Sequence, residues 1–217
     1  MKTILSKAWL PAGLLAVAFV LAACGGVGGG QQGGGMGGMD HGQMDHGSMG
    51  MGSDEMARRM VMENGKYSDE RLIDAMVPHH QGAIAMAKVA LENAEHDQII
   101  ELSQNIVSTQ QAEIEELKAI KNEEFGTSNV PMEMSKEQMR SMGMMMDPQH
   151  LAQSKPFDKA FIDAMIPHHQ SAIEMAKVAK EESENPRIRE LAGNIVSAQE
   201  REIEQMKQWH REWYQEG

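Results

Sequence analysis

The sequence predicts an all-α chain: a four-helix bundle made from two copies of one helical hairpin. The first observation behind this is a repeat. Asp74-Ala75-Met76-Val77-Pro78-His79-His80-Gln81 returns as Asp163-Ala164-Met165-Ile166-Pro167-His168-His169-Gln170, at a register shift of 89. The same shift, without a gap, aligns Met86 with Met175, Asn105-Ile106-Val107-Ser108 with Asn194-Ile195-Val196-Ser197, and Glu113-Ile114-Glu115 with Glu202-Ile203-Glu204. More than half of positions 74–117 are identical in the second copy, which establishes a duplicated unit. The second observation is periodicity, since apolar residues recur at helical spacing and no segment alternates like a strand. The third is the scarcity of aromatic residues, only 4% of the chain. Two hairpins of this kind close most simply as a bundle.

Residues 1–23 read as an export signal. Lys2 and Lys7 precede an apolar run from Ala8 to Ala23, and Gly- and Gln-rich sequence follows at once, where a membrane span would need about 20 apolar residues. Leu21-Ala22-Ala23-Cys24 has the form of a bacterial lipobox, so Cys24 is expected to be lipidated and to anchor the exported chain at a membrane facing the periplasm or cell exterior. An ordinary signal peptide with an incidental cysteine is the alternative. Cys24 is the only cysteine, which excludes an intrachain disulfide and any thiolate site in the folded part.

Residues 24–52 are low in complexity and lack hydrophobic periodicity, so they are expected to form a tether. Met36, Met39, His41, Met44, His46, Met49 and Met51 give this tether soft metal donors. The first hairpin, with a lead-in helix, is expected over 53–126. Ser53 caps the lead-in, which extends toward Asn64, and Ser68 caps a long helix carrying Leu72, Met76, Ala83 and Ala90 on its periodic positions. Asn93 to Asp97 reads as a turn, and a second helix with Ile99, Leu102, Ile106, Ile114 and Leu117 ends near Phe125-Gly126. The connector, 127–155, holds a capping box at Ser135-Lys136-Glu137-Gln138, and then Met139, Met142, Met144, Met145 and Met146 before Asp147-Pro148 and His150. The second hairpin, 156–217, opens at Pro156, turns around Ser183 to Pro186, and runs to about Tyr214. Trp209, Trp213 and Tyr214 are expected to close the core.

A net charge of −12 argues against nucleic acid and anionic lipid surfaces, which require a basic patch, and favours cations. Methionine is abundant, with 21 residues. Within each repeat, Met76, His79, His80 and Met86, and likewise Met165, His168, His169 and Met175, fall along one stripe of a helix. Pro78 and Pro167 each remove a backbone donor beside the histidines, where a helix is expected to kink. Methionines at helical spacing often only pack, and a lone histidine is often structural. Two imidazoles and two thioethers in each copy, in one pattern, point instead to a soft metal, copper above all and Cu(I) in particular. Zinc would recruit cysteine, magnesium and calcium need oxygen donors, and a di-iron site needs Glu-x-x-His, which the chain lacks. Asp74 and Asp163 are expected to support or cap the site. Met142, Met144, Met145, Met146 and His150 are auxiliary donors, together with the tether residues.

The motif Asp-x-Met-(Val/Ile)-Pro-His-His-Gln-x-Ala-Ile-x-Met-Ala, present twice, resembles the signature of the domain of unknown function (DUF) 305 family. The likeness spans about 67–125 and 157–214. It implies a ferritin-like helical bundle that binds copper, and also silver, outside the cytoplasm in support of metal tolerance. Carried over by position, it implies Met76, His79, His80, Met86, Met165, His168, His169 and Met175 as ligands. A copper efflux or chaperone protein is the partner expected for such a carrier. Two other readings compete: a copper-dependent oxidase, for which the sequence offers no acid–base pair or nucleophile, and a helical interaction module without metal. The expected function is non-enzymatic.

Overall fold

The computed structural model describes residues 53–144 and 146–214. The chain is helical, with two long hairpins forming a ferritin-like bundle. α1 spans Ser53–Met60, followed by the short strands β1 (Met62–Glu63) and β2 (Lys66–Tyr67). α2 (Asp69–Asn93) and α3 (Asp97–Phe125) form the first hairpin, and α6 (Phe157–Glu182) and α7 (Pro186–Tyr214) the second. Between them lie α4 (Lys136–Ser141) and α5 (Pro148–Gln153). Each hairpin packs along its length, α2 lies against α6, α1 also rests on α6, and α5 on α2.

Local chemistry sets most of the boundaries. Ser68 has extended backbone and its hydroxyl accepts from Arg71 N, starting α2 with Asp69 and Glu70 in the favoured first turn. Ser135 and Gln138 complete the capping box of α4. α2 continues through Pro78 to Asn93, and α6 continues through Pro167 to Glu182, so neither proline ends its helix.

Three details differ from the sequence expectation. The lead-in helix stops at Met60, and a two-residue ladder pairs Met62 with Tyr67 and Glu63 with Lys66. Its turn is Asn64-Gly65, with φ of 51° and 77°, the positive pair that a tight hairpin turn requires and that this dipeptide favours. The connector also contains a second short helix, α5. Asp147 caps it by accepting from Gln149 N and His150 N, with Pro148 in the first turn. Pro156 acts as the N-cap of α6 and is not its first helical residue.

The core is a single apolar cluster to which all long helices contribute, including Ile73, Ile106, Leu117, Phe157, Phe161, Met165, Ile195 and Met206. A buried carboxylate is among the polar contacts that join the hairpins. Asp158, buried in the first turn of α6, accepts from Glu95 N (3.1 Å) and His96 N (2.9 Å), and lies 2.6 Å from His96 Nδ1. It thereby caps α3, whose own N-cap residue His96 makes no side-chain cap bond. The His96 ring then stacks on Trp213 at 3.7 Å and 3°. Trp209, Trp213 and Tyr214 pack half-buried against the core cluster, in line with the closure role expected for them.

Candidate metal centre

α2 and α6 carry the two Met-Pro-His-His segments, and their packing brings the repeats together at the histidines. His79, His80, His168 and His169 are all fully buried. The His79 and His168 rings, one from each repeat, lie 3.8 Å apart between centroids and are tilted by 42°. Within each repeat the neighbouring rings are farther apart, 6.2 Å for His79–His80 and 6.3 Å for His168–His169. The central contact therefore belongs to both hairpins. Sequence spacing within one helix could not show this.

The outer histidines turn toward the second helix of their own hairpin. His80 Nε2 is 2.9 Å from Glu113 Oε2, and His169 Nε2 is 2.6 Å from Glu202 Oε2. Glu113 and Glu202 are equivalent under the repeat, so the same carboxylate–imidazole pair has been built twice. The sequence reading did not select either glutamate as a site residue. A signal was present, because Glu113 falls on the helical stripe of the apolar residues Ile106 and Leu117, where a charge is out of place.

Few of the imidazole nitrogens find partners. His79 Nε2 lies 2.8 Å from Ser171 Oγ. By contrast His79 Nδ1, His80 Nδ1, both nitrogens of His168 and His169 Nδ1 are buried without a hydrogen bond. His80 Nε2 is close to Glu113 but off the line of a hydrogen bond. Burial is the main cause that pushes the pKa of His79 and of His168 well below the usual imidazole value, and the neighbouring histidines push in the same direction. Both rings are therefore neutral at pH 7, which is the state that donates a lone pair to a metal. Among the described residues no three His, Cys, Asp or Glu side chains already converge as a metal cage.

The connector lies over this cluster. Met142 is buried, and its carbonyl accepts from Ser171 Oγ at 2.9 Å. A Cβ on Gly82 would stand 2.7 Å from the Met144 methyl and 3.3 Å from His168 Nε2. The missing side chain at Gly82 thus admits a thioether beside an unpartnered imidazole nitrogen. Its repeat equivalent is Ser171, so the two halves of the centre differ here. Gly143 has φ +65°, and a Cβ there would meet the backbone of His168 at 2.8 Å. Replacing Gly143 with Ala is expected to destabilise the protein by about 1–3 kcal/mol, from positive φ and a backbone clash together. Thermal unfolding measures this, and an unchanged midpoint would mean that the connector does not rest on α6.

The other expected site residues are distributed as follows. Met76, Met86, Met165 and Met175 are buried in the core. Met76 faces an apolar space lined by Leu72, Leu117, Ile188 and Ile195, so its neighbours on that side are aliphatic. Met146 is half-buried against the core, while His150 is exposed on α5. Asp74 pairs with the buried Lys121, and Asp163 with Lys159 (2.6 Å) and His210 (3.3 Å). These aspartates face cations, whereas Glu113 and Glu202 face the histidines. Cys24, Met36, Met39, His41, Met44, His46, Met49, Met51 and Met145 lie outside the described residues.

The family model for a domain of unknown function, DUF305, matches residues 25–121 and again residues 120–210. The chain belongs to the DUF305 family. Among solved structures it is similar to CopM in the Cu(II)-bound form, at 43% identity over 69% of this chain and 99% of that one, with a TM-score of 0.63. CopM in the Cu(I)-bound form matches at 38% identity over 69% and 100% of the two chains, with a TM-score of 0.61. A DUF305 fragment from Deinococcus radiodurans matches at 25% identity, covering 64% of this chain and 92% of its own, with a TM-score of 0.58. A segment of 49 residues is 43% identical to uncharacterized protein L153 of Acanthamoeba polyphaga mimivirus, and this match spans 32% of the viral protein.

Proposed function

We propose that this DUF305 protein is an extracytoplasmic copper-binding protein that holds Cu(I), and Ag(I) by the same chemistry, for sequestration, transfer or tolerance. The observation that carries the reading is the buried His79–His168 pair, with unpartnered nitrogens and the Met144 side chain beside it. Unpaired buried polar atoms are costly in a structural core, and the five unpartnered ring nitrogens of this cluster, besides His80 Nε2 beside Glu113, ask for a ligand. Neutral imidazole with thioether is a donor set suited to cuprous and silver ions. The structures of CopM, which hold Cu(II), Cu(I) and Ag, support the same assignment.

The proposed ligands are His79, His80, His168 and His169, with Met76, Met86, Met165 and Met175 from the helices and Met144 from the connector. Met142, Met145, Met146, His150 and the tether donors are proposed as auxiliary or capture groups. A lipid at Cys24 would hold the protein at the membrane, where an efflux or chaperone protein could receive the ion. The protein acts as a binder in this reading and carries out no turnover.

A cuprous-ion competition titration against a chromophoric chelator tests it. The protein from residue 24, the chain from Ser53, and the latter with His79, His80, His168 and His169 changed to Ala are compared. Tight binding by the chain from Ser53, lost with the histidines, is the expected result. Binding confined to the protein that retains the tether would overturn the assignment to the bundle.

A further inference from the structure

The copper reading leaves open which ring nitrogen meets the metal. We infer that Ser171, Glu113 and Glu202 are positioning residues that hold His79, His80 and His169 as Nε2–H tautomers, so that Nδ1 is the metal-accepting atom of each. This inference rests on the proposed copper function and deepens it.

Ser171 fixes the proton of the first ring. Its hydroxyl has one proton and lies 2.9 Å from the carbonyl of Met142 and 2.8 Å from that of His168. Carbonyl oxygens only accept, so the hydroxyl proton is directed to them. The third contact, at 2.8 Å to His79 Nε2, must then be made by a ring N–H donating to Oγ. A neutral imidazole carries one proton, so the lone pair of His79 is on Nδ1, which is buried and unpartnered.

The carboxylates lead to the same result. An ionised carboxylate accepts only, so Glu202 Oε2 at 2.6 Å from His169 Nε2 requires the proton on that nitrogen. Glu113 Oε2, 2.9 Å from His80 Nε2, would repel a lone pair placed there, and so it selects the same tautomer. In both rings Nδ1 is buried and has no partner. Carboxylates that hold the far nitrogen fix the ring angle and make the near nitrogen a better donor. His168 is the exception, since neither of its nitrogens has a partner. Its Nε2 lies on the side where Met144 packs over Gly82, and its ring also approaches the backbone carbonyl of His79.

Two-bond 1H–15N correlation spectra of the full chain, labelled at histidine, test this before and after loading with silver nitrate as the probe. The rings are assigned by single His→Gln variants. In the apo protein His79, His80 and His169 should show Nε2–H and an unprotonated Nδ1. On loading, their Nδ1 resonances should shift while the Nε2–H protons remain. Glu113→Gln and Glu202→Gln should each weaken silver binding by about 10–100-fold while the protein stays folded. Nδ1–H tautomers in the apo rings, or silver shifts at Nε2 of His80 and His169, would overturn the inference. Silver that leaves all four rings unmoved while the apo tautomers are as expected would overturn the copper reading itself, so the two failures are distinguishable.

Discussion

Replacing His168 with Leu is expected to stabilise the metal-free protein and to remove most of its stabilisation by copper. His168 is fully buried and neither ring nitrogen has a hydrogen-bond partner. An unsatisfied buried polar group costs about 1–3 kcal/mol, and a leucine of similar volume removes that cost. A histidine kept for structure would behave in the opposite way, because its loss would break bonds and destabilise the fold. The sign of the change thus separates a ligand from a structural residue. Loss of groups that merely support a ligand weakens metal binding by about 10–100-fold, so loss of the ligand itself should cost at least the upper end. At free cuprous ion 100 times the dissociation constant, the wild type should gain about 2.7 kcal/mol of stability. With affinity reduced 100-fold, the gain falls to about 0.4 kcal/mol at the same concentration. Denaturation with and without Cu(I) measures both parts of the prediction.

Acid is expected to weaken the apo fold before it removes metal from the two central histidines. The pKa of His79 and of His168 is depressed in the folded protein, chiefly by burial. Between the unfolded value of about 6.5 and the lower folded value, the unfolded chain binds protons that the native chain does not. Stability is therefore fully present above about pH 6.5 and is lost as the pH falls. Each withheld proton costs about 1.4 kcal/mol per pH unit until the folded pKa is reached. Urea denaturation of apo protein from pH 7.5 to 5 should show a falling midpoint, and the slope should be reduced in a His79→Leu/His168→Leu variant. A flat profile in the wild type would contradict neutral burial of the pair. The sequence alone predicts that ligation by histidine fades near pH 6.5. Burial moves that fading lower for His79 and His168, because these rings remain neutral in the fold.

The repeat made the architecture legible. One shift aligned the helices, and Ser68, Ser135 and the Asn93–Asp97 turn marked boundaries that the structure places within a residue or two. Asn64-Gly65 and Asp147-Pro148 were equally readable signals, for a tight hairpin turn and a capped helix start, but the helical pattern around the first and the methionine run before the second obscured them. The histidines and methionines of the two segments were legible as a set because rare residue types recur in one order. Their grouping was not. The His79–His168 contact depends on how α2 crosses α6, which the periodicity of either helix does not determine. Glu113 and Glu202 were visible only as charges on an apolar stripe, and Asp74 and Asp163, nearer in sequence to the histidines, pair with cations instead. The role of Gly82 needed the fold as well, since only packing shows that Met144 fills the place of its absent side chain.

Imidazoles from both repeats are proposed to hold one soft metal centre. X-ray absorption at the copper K-edge, on Cu(I)-loaded protein beginning at Ser53, tests it most directly. The predicted spectrum is a mixed nitrogen and sulfur shell with the multiple scattering of histidine rings, and that scattering is weakened in the His79→Leu/His168→Leu variant, where His80 and His169 remain. A sulfur-only shell, the same in both proteins, would contradict the account and assign the metal to the methionines alone.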